Sequence, residues 1–320
     1  MCTLIVLHRC LPDRPLVVAA NRDEFLDRRA EGPALRFTRT GPIVAPLDLE
    51  AGGTWVGLSA RGVFAGLTNL RAEPTRASSE LRSRGEVVMA ALESETAAEA
   101  IRRLSDLKEE EFNPFQLLVA DGRNAWLVVY RGRSRVIELE AGAHIVGNIE
   151  EERIAAVLGA RGPGPREPGR HRGNEEKNRM GEADPGRSAG FEGIDGRLDS
   201  EEPRAVKLTR IRERVEKLMT EPGRDLFEGL ARICREHVGP VTEGSQVLGA
   251  SGGGIFEGRS PLESTCVHVA DRYGTRSSLL LELTTDPETS RLWTTDGPPC
   301  ERSFENRSSL LRELGVRLSV

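Results

Sequence analysis

The sequence predicts an α+β fold of stacked layers built on mostly antiparallel sheet. Three observations lead there. Short runs rich in β-branched residues are joined by brief turns rather than by helical crossovers, which is the antiparallel pattern. Two pairs of segments with helical spacing interrupt the strands, so the order is strands, two helices, strands, two helices, strands. No repeat of fixed period is visible, which disfavours a solenoid or propeller. The 320 residues, 38% of them hydrophobic, suffice for a real core. We expect a single domain over 1–320, with a flexible insertion at about 160–205.

The elements follow in order. Cys2–Leu7 and Leu16–Ala20 are apolar runs separated by Pro12-Asp13-Arg14-Pro15, a hairpin of buried strands. A loop rich in Arg, Gly and Pro is expected next. Gly53–Ser59 and Val63–Asn69 flank Ala60-Arg61-Gly62 and read as a second hairpin closed by a glycine-containing turn. Arg84–Leu92 carries Val87, Val88, Ala91 and Leu92, and Thr96–Leu104 carries Ala97, Ala100, Ile101 and Leu104, both at helical spacing. Strands are expected at Gln116–Ala120, Ala125–Tyr130, Arg135–Glu140 and Ala143–Gly147, with Asp121-Gly122-Arg123-Asn124 and Arg131-Gly132 as turns. The 160–205 stretch has many Gly, Pro and charges but few apolar side chains to offset ordering entropy. Val206–Met219, with its stripe of Leu208, Ile211, Val215 and Leu218, and Leu226–Val238 read as amphipathic helices. Strands at Thr265–Ala270, Ser277–Leu283 and Leu292–Thr295 close the chain.

Several function classes fall away. A net charge of −5 argues against a general nucleic-acid binder, which should show a basic domain or stripe. The longest apolar runs are about six residues, whereas a spanning helix needs about 20, so no integral membrane protein is expected. Met1-Cys2-Thr3-Leu4 enters an apolar run with no basic region before it, so no secretory signal is expected. The five cysteines (Cys2, Cys10, Cys234, Cys266 and Cys300) contain no CxxC pair. Their spacings fit neither a zinc framework nor a disulfide scaffold, so no metal is expected and the thiols read as reduced in a cytoplasm.

Cys2 is the most informative single residue. Removal of Met1 would leave a residue carrying both a thiol nucleophile and an α-amine base, with reference pKa values of about 8.5 and 7.7–8.0. The alternative is an ordinary small residue on a buried strand. Asn21-Arg22-Asp23-Glu24 ends the second strand. In a hairpin this end lies beside the start of the first strand, where Asp23 could orient the Cys2 ammonium and Arg22 could favour a thiolate. The alternative there is a charged surface turn. Cys266 and His268 lie two apart on an expected strand, hence on one face, and are soft ligands for haem iron or a transition metal. They read equally as a core cysteine and a hydrogen-bonded histidine. Gly52-Gly53-Thr54-Trp55 either holds backbone close to the nucleophile or supplies a loop with Trp55 over a core edge. Ser251-Gly252-Gly253-Gly254 lacks the Lys-Ser/Thr of a phosphate loop and reads as a turn.

Four separated blocks, MCTLIV, VVAANRDEFLDR, DLEAGGTWVGLSARGVFAGLTNLR and RYGTRSSLLLEL, together resemble the NRDE family, also called the transport and Golgi organisation family. That family is similar to the N-terminal-nucleophile hydrolases. The resemblance implies a four-layer αββα sandwich with two antiparallel sheets, and a mechanism like that of the penicillin V acylases and bile-salt hydrolases. Carried over, Cys2 matches the nucleophile and Asp23 the acid that orients its amine. Asn69, after Gly66-Leu67-Thr68, resembles a pocket-lining Asn. Asn148, after Gly147, resembles the oxyanion donor, and Arg276, in Tyr273-Gly274-Thr275-Arg276, a late arginine near the nucleophile. The acylases carry an arginine a few positions before the orienting acid. Here Ala20 stands near that position and Arg22 is adjacent to Asp23, and adjacent strand residues face opposite ways. The implied activity is a cysteine amidohydrolase acting on a small linear, non-peptide amide or acyl-amide, with no cofactor required. The implied alternative is a non-catalytic protein handling haem or another hydrophobic ligand such as a lipid, with Cys266 and His268 as the cofactor-binding pair.

Overall fold

A computed structural model describes residues 2–70, 81–154, 202–223, 225–237 and 260–318. Two antiparallel sheets dominate it. The first has strand order β10-β1-β2-β12-β13-β14, with β11 paired to β12. Its strands are β1 (Cys2–Leu11), β2 (Arg14–Phe25), β10 (Gly142–Val146), β11 (His268–Val269), β12 (Tyr273–Leu283), β13 (Arg291–Asp296) and β14 (Glu305–Asn306). The second runs in chain order through β3 (Ala30–Thr38), β4 (Gly41–Asp48), β5 (Val56–Ser59), β6 (Phe64–Asn69), β7 (Phe115–Ala120), β8 (Ala125–Tyr130) and β9 (Ser134–Leu139).

Side-chain alternation sorts the core into three layers. Leu4, Val6, Leu16, Val18 and Val146 of the first sheet pack between the sheets against Val56, Leu58, Phe64 and Leu118 of the second. Ile5, Leu7, Val17, Ala19 and Ile145 face the other way. They meet α3 (Glu202–Thr220) and α4 (Leu226–Arg235) through Leu208, Ile211, Phe227 and Leu230. On the far side, Ala65, Leu67, Leu117 and Val119 bury α1 (Gly85–Leu92) and α2 (Ala97–Leu104) through Val87, Val88, Ala91 and Ala100. The layer order is therefore helices, sheet, sheet, helices: the expected αββα sandwich. Thr96 caps α2 by accepting from the Glu99 N–H, and Asp225 caps α4 by accepting from the Phe227 N–H.

Four expectations are corrected. The stretch after β2 is a hairpin, β3–β4, not a loop. Its prolines, glycines and arginines read as loop, but Ile43, Val44 and Ala45 are buried. Pro33 sits where the β3–β4 register slips, on an edge strand that tolerates a missing donor. Helix α3 begins at Glu202, so 202–205 are helical rather than the tail of the insertion, with Ala205 fully buried against the first sheet. The expected strand at Thr265–Ala270 narrows to the two-residue β11. A short helix, α5 (Ser309–Leu314), follows the last strand and closes one end of the inter-sheet core with Leu311 and Leu314. The expected insertion from 160 to 201 and the Ser251–Gly254 turn lie outside the described residues. No described helix is long and apolar enough to cross a membrane.

Candidate active site

The β1–β2 register sets the geometry. Cys2 pairs with Arg22 and Thr3 with Asn21. Directly paired residues share a face, so Cys2 and Arg22 both point between the sheets, in line with Leu4 and Ala20. On the other edge of β1, Leu4 pairs with Val146. Continuing that register two residues brings position 148 across from Cys2. Cys2 is thus flanked by Arg22 on one neighbouring strand and Asn148 beyond the end of the other.

Each partner is held in place. Arg22 is buried, its guanidinium 4.3 Å from the centroid of the Trp55 ring and 3.7 Å from an Asp48 carboxylate oxygen. Burial opposes ionisation of Asp48, but the Arg28 hydrogen bond at 2.8 Å and the backbone N–H groups of Glu50 and Ala51 outweigh it and hold its pKa low. Asn148 donates its amide to the Asn69 carbonyl at 2.6 Å, so the two asparagines meet. The preceding Gly147 carbonyl accepts from the Thr68 hydroxyl at 2.7 Å and the Gln116 amide at 2.8 Å. Sheet two therefore fixes the strand end that carries Asn148. Burial pushes the half-buried Cys2 thiol up; the Arg22 charge acts in the opposite direction. Arg84, just before α1, lies within electrostatic reach of Cys2 and Glu24, and burial lowers its pKa.

Asp23 points away from this face, towards α3. Its carboxylate accepts from the Thr275 hydroxyl at 2.6 Å and from Lys207 Nζ at 3.1 Å, and all three side chains are buried. The Tyr273 hydroxyl donates to the Asp23 carbonyl at 3.1 Å. Asp23 follows Arg22 just beyond the pairing with Cys2, so it lies beside the start of β1 while its side chain engages the helix layer. Beside it on the same face, the Asn21 amide bonds the Cys234 and Thr265 carbonyls.

Arg276 is the extra residue of a bulge. Thr275 pairs with Asp23 and Ser277 with Arg22, leaving Arg276 between them, its guanidinium bonded to the Leu26 carbonyl. It helps line a cleft of about 280 Å³ with Arg22, Trp55, Ser277, Asp296 and Arg307. Cys2 does not line that cleft; Arg22 stands between the two. Gly53 abuts Gly85 at the start of α1, where a Cβ would meet backbone carbons at 3.0 Å. The glycine pair thus serves a close backbone approach, and Trp55 serves as the floor under Arg22.

Cys266 and His268 do come together, Sγ to Nε2 at 3.5 Å, although Cys266 precedes β11 rather than lying within it. Cys300 completes a trio, 3.4 Å from the Cys266 sulfur and 3.1 Å from His268 Nε2. Burial pushes the Cys266 thiol up. These three ligand atoms lie within 4.8 Å of one another.

A family model described as Transport and Golgi organisation 2 matches residues 1–157. Over these residues the chain is similar to that family. Relatives include the Bos taurus Transport and Golgi organization protein 2 homolog, 32% identical over 141 residues, which are 42% of this chain and 50% of that protein. The Mus musculus homolog is 36% identical over 112 residues, 33% of this chain and 38% of that protein. The match therefore spans half or less of these relatives' length. Among solved structures, the chain is similar to a C2A mutant of conjugated bile acid hydrolase from Clostridium perfringens, at 10% identity over 96% of each chain with a TM-score of 0.45. It is also similar to a Caenorhabditis elegans N-acylethanolamine-hydrolyzing acid amidase ortholog, at 14% identity over 50% of this chain and 80% of that one, TM-score 0.34. Scores this low carry no argument, and the layer order rests on the packing described above.

The Transport and Golgi organisation 2 stretch holds Cys2, Arg22, Asp23, Asn69, Arg84 and Asn148. The Asp23 partners Lys207 and Thr275, together with Arg276 and the Cys266–His268–Cys300 trio, lie beyond it. Sequence reasoning missed Lys207, Arg84, Thr275, Gln116 and Cys300. Lys207 carried a signal, since it is one of four lysines and is flanked by apolar residues on an amphipathic helix. The others carried none, because their roles depend on contacts distant in sequence.

Proposed function

We propose that this chain is a cysteine amidohydrolase of the N-terminal-nucleophile kind, acting on a small linear or acyl amide. The observation that carries the reading is the placement of Cys2 at the head of β1, its side chain between the sheets, opposite Arg22 and level with Asn148. Removal of Met1 would free the Cys2 α-amine. Because burial keeps the thiol protonated near neutrality, a base is needed, and that amine supplies it. The sulfur attacks the amide carbonyl as its proton passes to the amine. Negative charge on the former carbonyl oxygen is met by the free N–H of Asn148, by Asn69 and by Arg22. The C–N bond then breaks, and the leaving amine takes the proton from the ammonium. Water, deprotonated by the same amine, hydrolyses the thioester to release the acid and restore the thiol. Asp23 lies beside the start of β1 and would orient the ammonium from the helix-layer side, braced by Lys207 and Thr275. The cleft beyond Arg22, with Arg276 and Arg307 beside Glu31, Asp296 and Glu305 in its wall, suits a polar acyl group rich in hydrogen-bonding atoms.

The test combines intact mass, alkylation and turnover. The purified protein should lack Met1, iodoacetamide should label Cys2, and a panel of N-acyl amides should include a substrate whose hydrolysis is lost in Cys2→Ala and Cys2→Ser. Retained Met1, or hydrolysis unchanged in Cys2→Ala, overturns the mechanism. A second reading is non-catalytic binding of haem or a lipid on the same fold. The cleft that Arg22, Arg276 and Arg307 line with Trp55 favours it, since a guanidinium over an aromatic ring would hold a ligand with both an apolar face and a carboxylate. Titration with haem should then give a Soret band that weakens in Trp55→Ala or Arg276→Gln; no spectral change at micromolar haem removes this reading.

A further inference from the structure

We propose that Cys266, Cys300 and His268 form a zinc site, with His237 as the fourth ligand. Zinc–sulfur bonds of about 2.3 Å and zinc–nitrogen bonds of about 2.0–2.1 Å at tetrahedral angles place sulfurs about 3.8 Å apart and sulfur and nitrogen about 3.6 Å apart. The observed separations are 3.4 Å between the sulfurs, and 3.5 and 3.1 Å from each sulfur to His268 Nε2. All three ligand atoms lie within 4.8 Å of one another. One ion at their centre therefore needs only a few tenths of an ångström of adjustment from each.

Three further features support it. The outer nitrogen of the same imidazole, His268 Nδ1, lies 4.0 Å from a Glu301 carboxylate oxygen, so a small side-chain rotation would bring a second-layer acceptor to a metal-bound histidine. The His237 ring lies 5.7 Å from the His268 ring, centroid to centroid, and is exposed at the end of α4. The Cys266 N–H donates to the Glu236 carbonyl at 2.7 Å, which ties one ligand directly to the residue before His237. The scaffold is also rigid. Between the two ligands, Val267 donates its N–H to the Thr275 hydroxyl at 2.8 Å, and its carbonyl accepts from the Thr275 N–H at 2.8 Å. Thiolate and imidazole ligands select zinc over magnesium or calcium. The exposed side of His268 and His237 gives the ion a route in.

The site is built from residues outside the Cys2 chemistry, so the two proposals are tested separately. The full-length chain is reduced, stripped with chelator, reloaded with zinc and passed through gel filtration. Metal analysis should find about one zinc per chain, and cobalt in its place should give thiolate-to-metal charge-transfer bands with tetrahedral d–d absorption. Cys300→Ser and His268→Ala should each abolish stoichiometric retention, while Cys2→Ala and Cys10→Ser keep it. His237→Ala should weaken retention at least about tenfold against a chromophoric chelator. Circular dichroism establishes that each variant is folded, and stripping and reloading the unaltered chain needs no variant. No retention by the reduced wild-type chain, retention unchanged in Cys300→Ser, or Cys266 and Cys300 recovered as a disulfide that zinc does not prevent would each overturn the site.

Discussion

Replacing Lys207 with methionine removes the ammonium held 3.1 Å from the Asp23 carboxylate while roughly preserving side-chain volume. The two side chains are 5% and 0% exposed, so solvent does not screen the loss. Breaking one member of such a pair costs about 3–5 kcal/mol, because the remaining charge stays buried and loses this ammonium. At about 2–4 °C per kcal/mol for proteins of 150–250 residues, the melting temperature should fall by roughly 6–20 °C. Removing both charges, Asp23→Asn with Lys207→Met, should recover much of that loss, since the desolvation of both ions disappears with their attraction. Urea denaturation and thermal melts of the four proteins give the coupling energy through a double-mutant cycle. A cost below about 1 kcal/mol for Lys207→Met, or a double variant whose loss equals the sum of the singles, would refute the claim that this pair is a buried, coupled unit.

Other substitutions test other contacts. Gly274→Ala places a Cβ 2.6 Å from the Val267 carbonyl oxygen, so it should destabilise by about 1–3 kcal/mol; an unchanged melting temperature would contradict the close approach. His8 is buried, and burial lowers its pKa against the opposing contact of the Asp121 backbone. Its stabilising effect should be complete above the unfolded-state value of about 6.5 and lost progressively as pH falls below it, since only the unfolded chain takes the proton readily. His8→Leu should flatten the stability curve between pH 7.5 and 5, and a curve as steep as that of the unaltered chain would exclude His8 as its source. Because burial raises the Cys2 thiol, iodoacetamide labelling should climb through the alkaline range rather than level off near neutrality. Arg22→Gln should slow labelling several-fold at pH 8, and equal rates would mean that the guanidinium does not act on the sulfur.

The layers were legible because the continuous apolar runs of β1, β2, β7 and β8, covered on both faces, and the stripe on α3 stand out in the sequence. The β3–β4 hairpin was not, because Pro33, Pro42 and Pro46 with the interspersed Gly and Arg read as a loop, whereas a pair at a sheet edge tolerates such residues. At the site, the nucleophile candidate and its neighbouring tetrapeptide were visible from position alone. Adjacency of Arg22 and Asp23 also showed that they face opposite ways. Which of them shares a face with Cys2 required the pairing register, and the meeting of Asn148 with Asn69 required both sheets. Lys207 and Cys300 lie far along the chain from the residues they join, and no local spacing encodes a contact made by folding.

The hairpin that joins β1 to β2 sets which chemistry occupies which compartment. Its register places the guanidinium in the dry seam of the sandwich and the carboxylate beneath the helices. One residue added or removed at Pro12 or Asp13 would slide β2 by a single step. The carboxylate would then enter the seam, and the guanidinium would be thrust against an ammonium. The length of this outer loop is therefore under a constraint that its own exposed side chains do not reveal. An engineer seeking an insertion point should look elsewhere on the molecule.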